Sequence, residues 1–364
     1  MEDCAIAVDQ RRNALYAWSS AWVRTHTPFN PAAALDMVSG DASFRRYFRL
    51  QHGQGSLICV DAPPEKENSR PFVSIARALF AHQVHVPEVI AVDFEQGFML
   101  LSDLGDTMLR PCLNDNSVDE LYGQAMDELL HLLSSPHPCD YPLPPYDHAR
   151  LMTEMSLFRD WFVARYLDLD LQPEEVALID DICRRIADTV LQQPTVFVHR
   201  DYHSRNLMVL PTGRLGVIDF QDAVTGPITY DLVSLLRDAY VEWPANRVSG
   251  WVELFRQKLL AAGQIGEDVD TEQFQAWFDW MGAQRHLKIL GIFARLSLRD
   301  GKHGYLNDIP LVFKYFVDEI QNYPDLKNFH GWLLERIVPV YLAKNPEALP
   351  FLAHVQSEGT GASA

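Results

Sequence analysis

The chain reads as an α+β protein in two parts, a strand-rich beginning and a longer, mostly helical remainder. Three observations predict this. Short apolar runs bounded by polar turns recur between residues 38 and 102, the pattern of antiparallel strands. From Ser117 onward, apolar residues repeat mostly at helical spacing. Set into that helical part is one compact stretch, Val196 to Asp222, where three short apolar runs alternate with two acidic loops and a Pro211-Thr212-Gly213 turn. With 364 residues, 48% of them hydrophobic, the chain has enough apolar surface for two lobes.

The elements follow in order. Residues 5–24 are expected to be a helix with Leu15, Trp18 and Trp22 on one packing stripe, closed by Pro28 and Pro31. Val38 to Leu50 alternates aromatics and arginines after Gly40, as a hairpin does, and Leu57 to Val60 is the next strand. A helix over Phe72 to Gln83 follows, then strands at Val84 to Asp93 and Gly97 to Ser102. Pro87 sits near the start of the first of these, where a missing donor is tolerated. Ser117 and Glu120 form a capping box that opens a helix to about Ser134. Pro136 to Pro145 is a connector, and helices are expected over 147–168 and 173–192, the second opening on Pro173, Glu174 and Glu175. Beyond the strand-and-loop stretch come helices over 231–241, 246–262, 271–298, 310–321 and 326–342, with Trp243-Pro244 breaking the first two apart. The domain reading is an N-terminal lobe with a leading helix at 1–104, a longer, mostly helical C-terminal lobe at 105–354, and a disordered tail at 355–364.

Composition narrows the function. A net charge of −18 disfavours a nucleic-acid surface, which needs clustered Lys and Arg. The five cysteines, Cys4, Cys59, Cys112, Cys139 and Cys183, form no C-x-x-C pair, which suits a reduced cytoplasmic protein without a zinc site. No apolar run has the length of a membrane span, and the first residues lack the basic start of a signal peptide. A monomer with a small-molecule substrate, no nucleic-acid partner and no membrane partner is expected.

The chemistry lies in the central stretch. His199-Arg200-Asp201-Tyr202-His203-Ser204-Arg205-Asn206 matches H-R-D-x-x-x-x-N, the catalytic loop of kinases, and Asp219-Phe220-Gln221 matches D-F-x. Asp and Asn are also ordinary turn residues. Here, however, they stand in kinase order, with His199 and strand-like flanks. Phosphoryl transfer needs a carboxylate to orient an attacking hydroxyl and accept its proton, the role of Asp201. It also needs hard oxygen ligands for magnesium, which Asn206 and Asp219 supply. ATP and Mg2+ are therefore the expected cofactors, on a bilobal protein-kinase-like fold.

His199 to Asn206 with Ile218-Asp219-Phe220 resembles the aminoglycoside phosphotransferase and choline kinase-like superfamily more than protein kinases. His203 stands where protein kinases usually carry Lys. Gly226-Pro227-Ile228-Thr229-Tyr230-Asp231-Leu232 follows almost at once in place of a long activation segment. The resemblance implies that Asp231 braces the catalytic loop from the start of a buried helix; an Asp there is also a plain N-cap, and both roles can hold. Ser43 to Arg49, Met99 to Asp106, Val196 to Asn206 and Gln284 to Arg295 look like the anomeric N-acetylmuramate/N-acetylglucosamine kinases of bacterial cell-wall recycling. The resemblance covers roughly residues 35–340. It implies transfer of the ATP γ-phosphoryl to the sugar C1 hydroxyl. An aminoglycoside kinase is the alternative within the superfamily, and a non-catalytic nucleotide-binding module the alternative outside it.

The remaining site residues rest on context or resemblance. Backbone amides around Ser39, Gly40, Asp41, Ala42 and Ser43 suit a phosphate, with Arg45 and Arg46 as the nearest cations. Ser102 to Asp106 resembles the inter-lobe hinge, whose backbone at Asp103 and Leu104 pairs with adenine; the Asp103 side chain is expected to be solvated or capping. One departure stands out. The strand that normally carries the phosphate-pairing Lys reads Val60-Asp61, and the following helix has no Glu for the usual ion pair. Either Arg45, Arg46 or Lys66 substitutes, or the enzyme is inactive. Substitution is the reading preferred, because the base and both metal ligands are intact. His203 and Arg205 in the loop, with Gln284, Arg285, His286 and Lys288 in the helix beyond, are assigned to the acceptor; the helix residues equally fit a polar face with snorkelling stems. Arg285 is the expected partner of the lactyl carboxylate that distinguishes N-acetylmuramate, with Arg295 next in line.

Overall fold

The computed structural model describes residues 2–40, 44–53 and 55–353; the side chains of residues 2–9, 39 and 40 lie outside that description. The chain divides into two compact units. The first comprises Met1–Leu143 with Arg205–Ala223, the second Pro144–Ser204 with Val224–Ala364. This division falls elsewhere than the expected 104/105 boundary. The helix after the hinge and the hairpin that carries Asn206 both pack within the first unit: Leu109 donates its amide to Leu207 O (2.7 Å) and Val217 to His85 O (2.7 Å). The expected tail, 355–364, lies outside the described residues.

In the first unit, helix α1 (Glu2–His26) precedes a five-stranded antiparallel sheet of β1 (Asp36–Gly40), β2 (Arg46–His52), β3 (Gly55–Asp61), β4 (Val89–Asp93) and β5 (Phe98–Ser102), in the order β1-β2-β3-β5-β4. Helix α2 (Arg70–Ala81) lies between β3 and β4 in the chain. Strand alternation sorts the sheet into two faces. Phe48 and Leu50 of β2, Leu57 and Cys59 of β3, and Phe98 and Leu100 of β5 form one core with Leu15 and Val23 of α1. Their neighbours, Tyr47, Arg49, Ile58 and Leu101, face the other way and line a cavity. Burying these apolar side chains contributes ~1.5–3 kcal/mol each, so the α1 face is what holds the sheet. Helix α3 (Val118–Leu133) follows. The expected capping box is not formed. The Ser117 hydroxyl donates to Cys112 O at 2.7 Å and accepts from Asn114 N, closing the preceding turn.

The second unit begins with α4 (His148–Leu157), which continues as a π-helical stretch, Phe158–Tyr166, and then α5 (Pro173–Val190). The single helix expected over 147–168 thus changes pitch midway. The reason is a crossing. An added Cβ at Gly291 would lie 2.3–2.5 Å from backbone and side-chain atoms of Leu157, so the long helix Thr271–Asp300 approaches the chain there more closely than any other residue type allows. Strands β6 (Thr195–Val198) and β9 (Val224–Pro227) pair antiparallel, whereas β7 (Leu207–Val209) and β8 (Leu215–Val217) form the hairpin of the first unit. Helices α6 (Tyr230–Leu236), α7 (Ala245–Ala261), α8 (Thr271–Asp300) and α9 (Ile309–Ile320) complete the core. Helix α6 stops short of the expected 241 because Asp238 turns away to bind the catalytic loop. The helix expected over 326–342 is broken into α10 (Lys327–Trp332), a π-helical turn and α11 (Val338–Lys344). Pro339 explains the break, because it cannot donate to the turn before it.

Candidate active site

In the first unit, the cavity on the sheet face away from α1 has a volume of about 540 Å³. Ile58, Leu101, Leu104, Met208 and Ile218 make it apolar, Tyr47, Phe72 and Phe220 add aromatic walls, and Asp103, Asn206 and Asp219 place a few polar groups. That is the composition of a small-molecule site. Asp103 and Leu104 both line it, as the hinge resemblance implies. The Asp103 carboxylate is a brace. It accepts from Ser56 Oγ at 2.6 Å, from Arg49 and from the Gly105 amide at 2.9 Å. Burial alone would raise its carboxyl, but these donors outweigh that and hold it below the usual range.

The β7–β8 hairpin brings the two expected metal ligands together. Its register pairs Leu207 with Val217, so the residues just outside it meet: Ile218 donates its amide to Asn206 O at 3.1 Å. The Asn206 side-chain amide lies 3.3 Å from Asp219 Oδ2, and Gln221 Nε2 donates to Asp219 Oδ1 at 2.8 Å. Asp219 has φ +67°, a left-handed conformation that a non-glycine residue holds only under constraint and that clusters at functional sites. Behind it, Phe220 stacks on Phe72 at 5.0 Å between ring centroids.

Of the expected phosphate-touching segment, Asp41, Ala42 and Ser43 lie outside the described residues, and Ser39 and Gly40 are described only as backbone of β1. Arg46 lies on the α1 face, where it pairs with Asp61; Arg11 of α1 meets the same carboxylate at 2.9 Å. Asp61 is fully buried, so this double pairing accounts for its charge.

In the second unit, the catalytic loop is braced from both ends by buried aspartates. Asp231, at the start of α6, accepts the amides of His199 at 2.6 Å and Arg200 at 3.0 Å. Asp238 accepts the amide of Ser204 at 3.0 Å and its hydroxyl at 2.5 Å. Between them Arg200 has φ +79°, a second left-handed residue, directly before Asp201. His203 meets Tyr240 edge-on at 5.4 Å. Burial pushes the Asp201 carboxyl up, yet Lys288, Arg285, His203 and His199 outweigh it and hold the group down at about 2. Asp231 goes the other way: burial pushes it up to about 6, against His199 and the two amides.

Behind the loop, α8 carries the four polar residues assigned to the acceptor, and all four are buried. Arg285 donates to Arg200 O at 3.0 Å and to the Tyr230 hydroxyl at 3.3 Å. Lys288 donates to Tyr230 at 2.9 Å and faces Glu154 at 3.6 Å. Gln284 donates to the Tyr146 hydroxyl at 3.0 Å. His286 turns to another side, with Nδ1 2.8 Å from Glu319. Glu154 joins the group together, accepting from Arg200 at 2.6 Å and from Tyr146. Burial, Tyr230 and Glu154 push the Tyr146 phenol up, so it keeps its proton and donates it. Arg295, the second carboxylate candidate, is also on α8, half-buried.

The model of the family described as "Phosphotransferase enzyme family" matches residues 36–283. The chain belongs to the phosphotransferase enzyme family. Within this family it is 44% identical, over 326 residues, to an N-acetylmuramate/N-acetylglucosamine kinase of Pseudomonas putida, covering 90% of this chain and 93% of the relative. It is 46% identical to the same-named kinase of Pseudomonas aeruginosa, covering 81% and 86%. Among solved structures, a choline/ethanolamine kinase family protein of Mesorhizobium loti aligns with TM-score 0.58 at 14% identity, covering 89% of this chain and 98% of that one. A choline kinase of Streptococcus pneumoniae aligns with TM-score 0.55 at 11% identity, covering 84% and 99%. These likenesses show the fold of this phosphotransferase, a protein-kinase-like antiparallel sheet with helices followed by a mostly helical part.

Several residues of the phosphotransferase's loop scaffold carry no signal in the sequence. Glu154, Tyr146 and Asp238 lie 47, 55 and 37 positions from Asp201, respectively, in unremarkable helical or loop context. Tyr230 had one pointer, its place beside Asp231.

Proposed function

We propose that this chain transfers the γ-phosphoryl group of ATP to the anomeric C1 hydroxyl of N-acetylmuramate and N-acetylglucosamine, giving the sugar 1-phosphate and ADP. The observation that carries the reading is its 40–46% identity, across most of its length, to kinases named for those two sugars. The chemistry of the loops supports it. Asp201 orients the C1 hydroxyl and takes its proton as the O–P bond forms and the bond to ADP breaks. A carboxylate held at about 2 is a weak base, which suits a loose transition state in which the proton leaves late. Asn206 and Asp219 fit a magnesium ion, since that ion takes one or two protein oxygens and completes its shell with phosphates and water. When bound there, it supplies neutralisation of the phosphate charge. The apolar walls around Ile58 and Leu101 suit a purine ring. We take the N-terminal lobe at 1–104 and the C-terminal lobe at 105–354 as the functional division, and a cytoplasmic monomer without nucleic-acid or membrane partner as the working form. No helix among the described residues is long and apolar enough to cross a membrane.

A coupled assay of ADP release against N-acetylmuramate, N-acetylglucosamine, choline and kanamycin tests the reading. Turnover on the two sugars is expected; turnover on the cationic acceptors alone would overturn it.

The burial of Arg285 favours a positioning role over contact with the lactyl carboxylate. It is 3% exposed, and its guanidinium holds the carbonyl of the left-handed Arg200. Removing a charge-assisted hydrogen bond of ~1.5–3 kcal/mol lets that peptide relax and misaims Asp201. Arg285→Ala is therefore expected to lower kcat roughly ten- to a hundredfold on both sugars alike, with the KM values close to wild type. A rise in KM confined to N-acetylmuramate would return Arg285 to the carboxylate.

A further inference from the structure

This phosphotransferase lacks the strand Lys and helix Glu that commonly hold a nucleotide's phosphates, and the first unit contains a pair of the same chemistry in another place. Given that the chain is an ATP-dependent kinase, we infer that Arg45, held by Glu67, is the cation that pairs with the nucleotide's phosphates.

Of the cations near in sequence, Arg49 is held by Asp103 and Asp106 beside the hinge, and the sheet sorts the other three. Side chains alternate along β2, so Arg46 shares its face with Phe48 and Leu50, in the core against α1. There Arg46 is spent on Asp61. Asp61, one position past Val60, also faces α1, where Arg11 meets it. Neither can reach a ligand on the opposite face. Lys66 sits over the exposed Phe44 ring at 4.6 Å. Arg45 is one residue before β2 and in phase with Tyr47 and Arg49, both of which line the cavity. The register pairs Arg46 with Asp61, which places Arg45 across from Ala62, at the end of the strand that would carry the Lys.

The surroundings of Arg45 agree with this phase. Its side chain is 7% exposed, and its guanidinium carbon lies 5.7 Å from the ring centroid of Phe72. Phe72 itself lines the cavity and stacks on Phe220, the residue after Asp219. A buried guanidinium is therefore aimed at the aromatic wall beside the proposed metal ligand. Glu67 faces it at 3.5 Å and also accepts the Phe44 amide at 3.1 Å, so the carboxylate is anchored to the strand's entry while it steadies the cation. That is the job of a helix Glu, done from the loop before α2. Arg is the better residue for it, because its planar fork can meet two phosphate oxygens at once.

Calorimetric titration with ATP and with adenosine separates this role from a structural one, since adenosine keeps the base and ribose and lacks the phosphates. Arg45→Met is expected to raise the Kd for ATP roughly ten- to a hundredfold and to leave adenosine within about twofold of wild type. Arg45→Lys should recover part of the ATP affinity, because it restores the charge without the fork. Glu67→Gln, a change at a positioning residue, should weaken ATP less than Arg45→Met does and spare adenosine. Should Arg45→Met fail to fold, the Lys and Gln variants carry the same comparison. ATP and adenosine weakened equally, or both unchanged, would overturn the assignment. A wild-type chain that binds adenosine but not ATP would instead remove the kinase reading beneath it.

Discussion

Asp201→Asn is expected to lower kcat by roughly a hundredfold to ten-thousandfold, with the KM values for ATP and sugar little changed, in steady-state assays of ADP release. The substitution keeps the side chain's shape and removes its ability to take a proton. The amide can still accept a hydrogen bond from the C1 hydroxyl, so binding survives while turnover does not. Asp219→Ala should be at least as damaging, because it deletes the carboxylate proposed to hold magnesium, and extra magnesium should not restore it. Near-normal turnover by either variant would sink the assignment of the two loops. The pH behaviour has a definite sign. The Asp201 carboxyl is held at about 2, below its unfolded value of about 3.9. Its contribution to stability is thus fully present above about pH 4 and lost as pH falls toward 2. The rate should accordingly show no acidic limb from this group above about pH 4.

Asp231→Ala should cost about 3 kcal/mol of stability, read as a fall in Tm, and should lower kcat by at least about tenfold. The variant strands the buried amides of His199 and Arg200, which donate to the two oxygens of the Asp231 carboxylate. It also releases the left-handed Arg200, whose conformation persists only while its surroundings enforce it. A conservative Asn can accept one amide and should be intermediate. Asp231 carries the opposite pH sign to Asp201. Its folded value, pushed up to about 6 by burial, lies above the unfolded one. Between about pH 4 and 6 the unfolded chain loses the proton first, so this group's contribution falls as pH rises through that window. The Tm deficit of Asp231→Asn relative to wild type should therefore be larger near pH 4 than near pH 7. A deficit that does not change with pH would mean that the carboxyl titrates alike in the folded and unfolded chain.

Both loops are legible in the sequence, because they are local. Asp201 and Asn206 sit in one loop, Asp219 in the next, and the hairpin between them is written in its Pro211-Thr212-Gly213 turn. The sheet was legible for a similar reason, since strands announce themselves by alternation and turn residues. Helix ends were less so. Ser117 looks like a cap, yet its hydroxyl has a better partner in Cys112 O, and no spacing rule weighs the two. The π-helical stretch after α4 was invisible, because its cause, the close approach at Gly291, lies more than a hundred residues away.

What a residue does across the fold is a different matter from what it is. Gln284, Arg285, His286 and Lys288 read as one polar patch, and their types and helical setting were clear. Which way each points depends on α4, α6 and α9 packing around α8, and those contacts send three of them toward the catalytic loop's scaffold and His286 to Glu319. Likewise Arg45 and Arg46 are adjacent and chemically identical in the chain. A pleated strand turns neighbours to opposite faces, and α1 covers only one of them. That difference of burial, set by a helix far off in sequence, gives one arginine to Asp61 and leaves the other facing Phe72. Local chemistry is carried by residue type and short spacing; partner and direction are set by long-range packing, which a linear chain does not encode residue by residue.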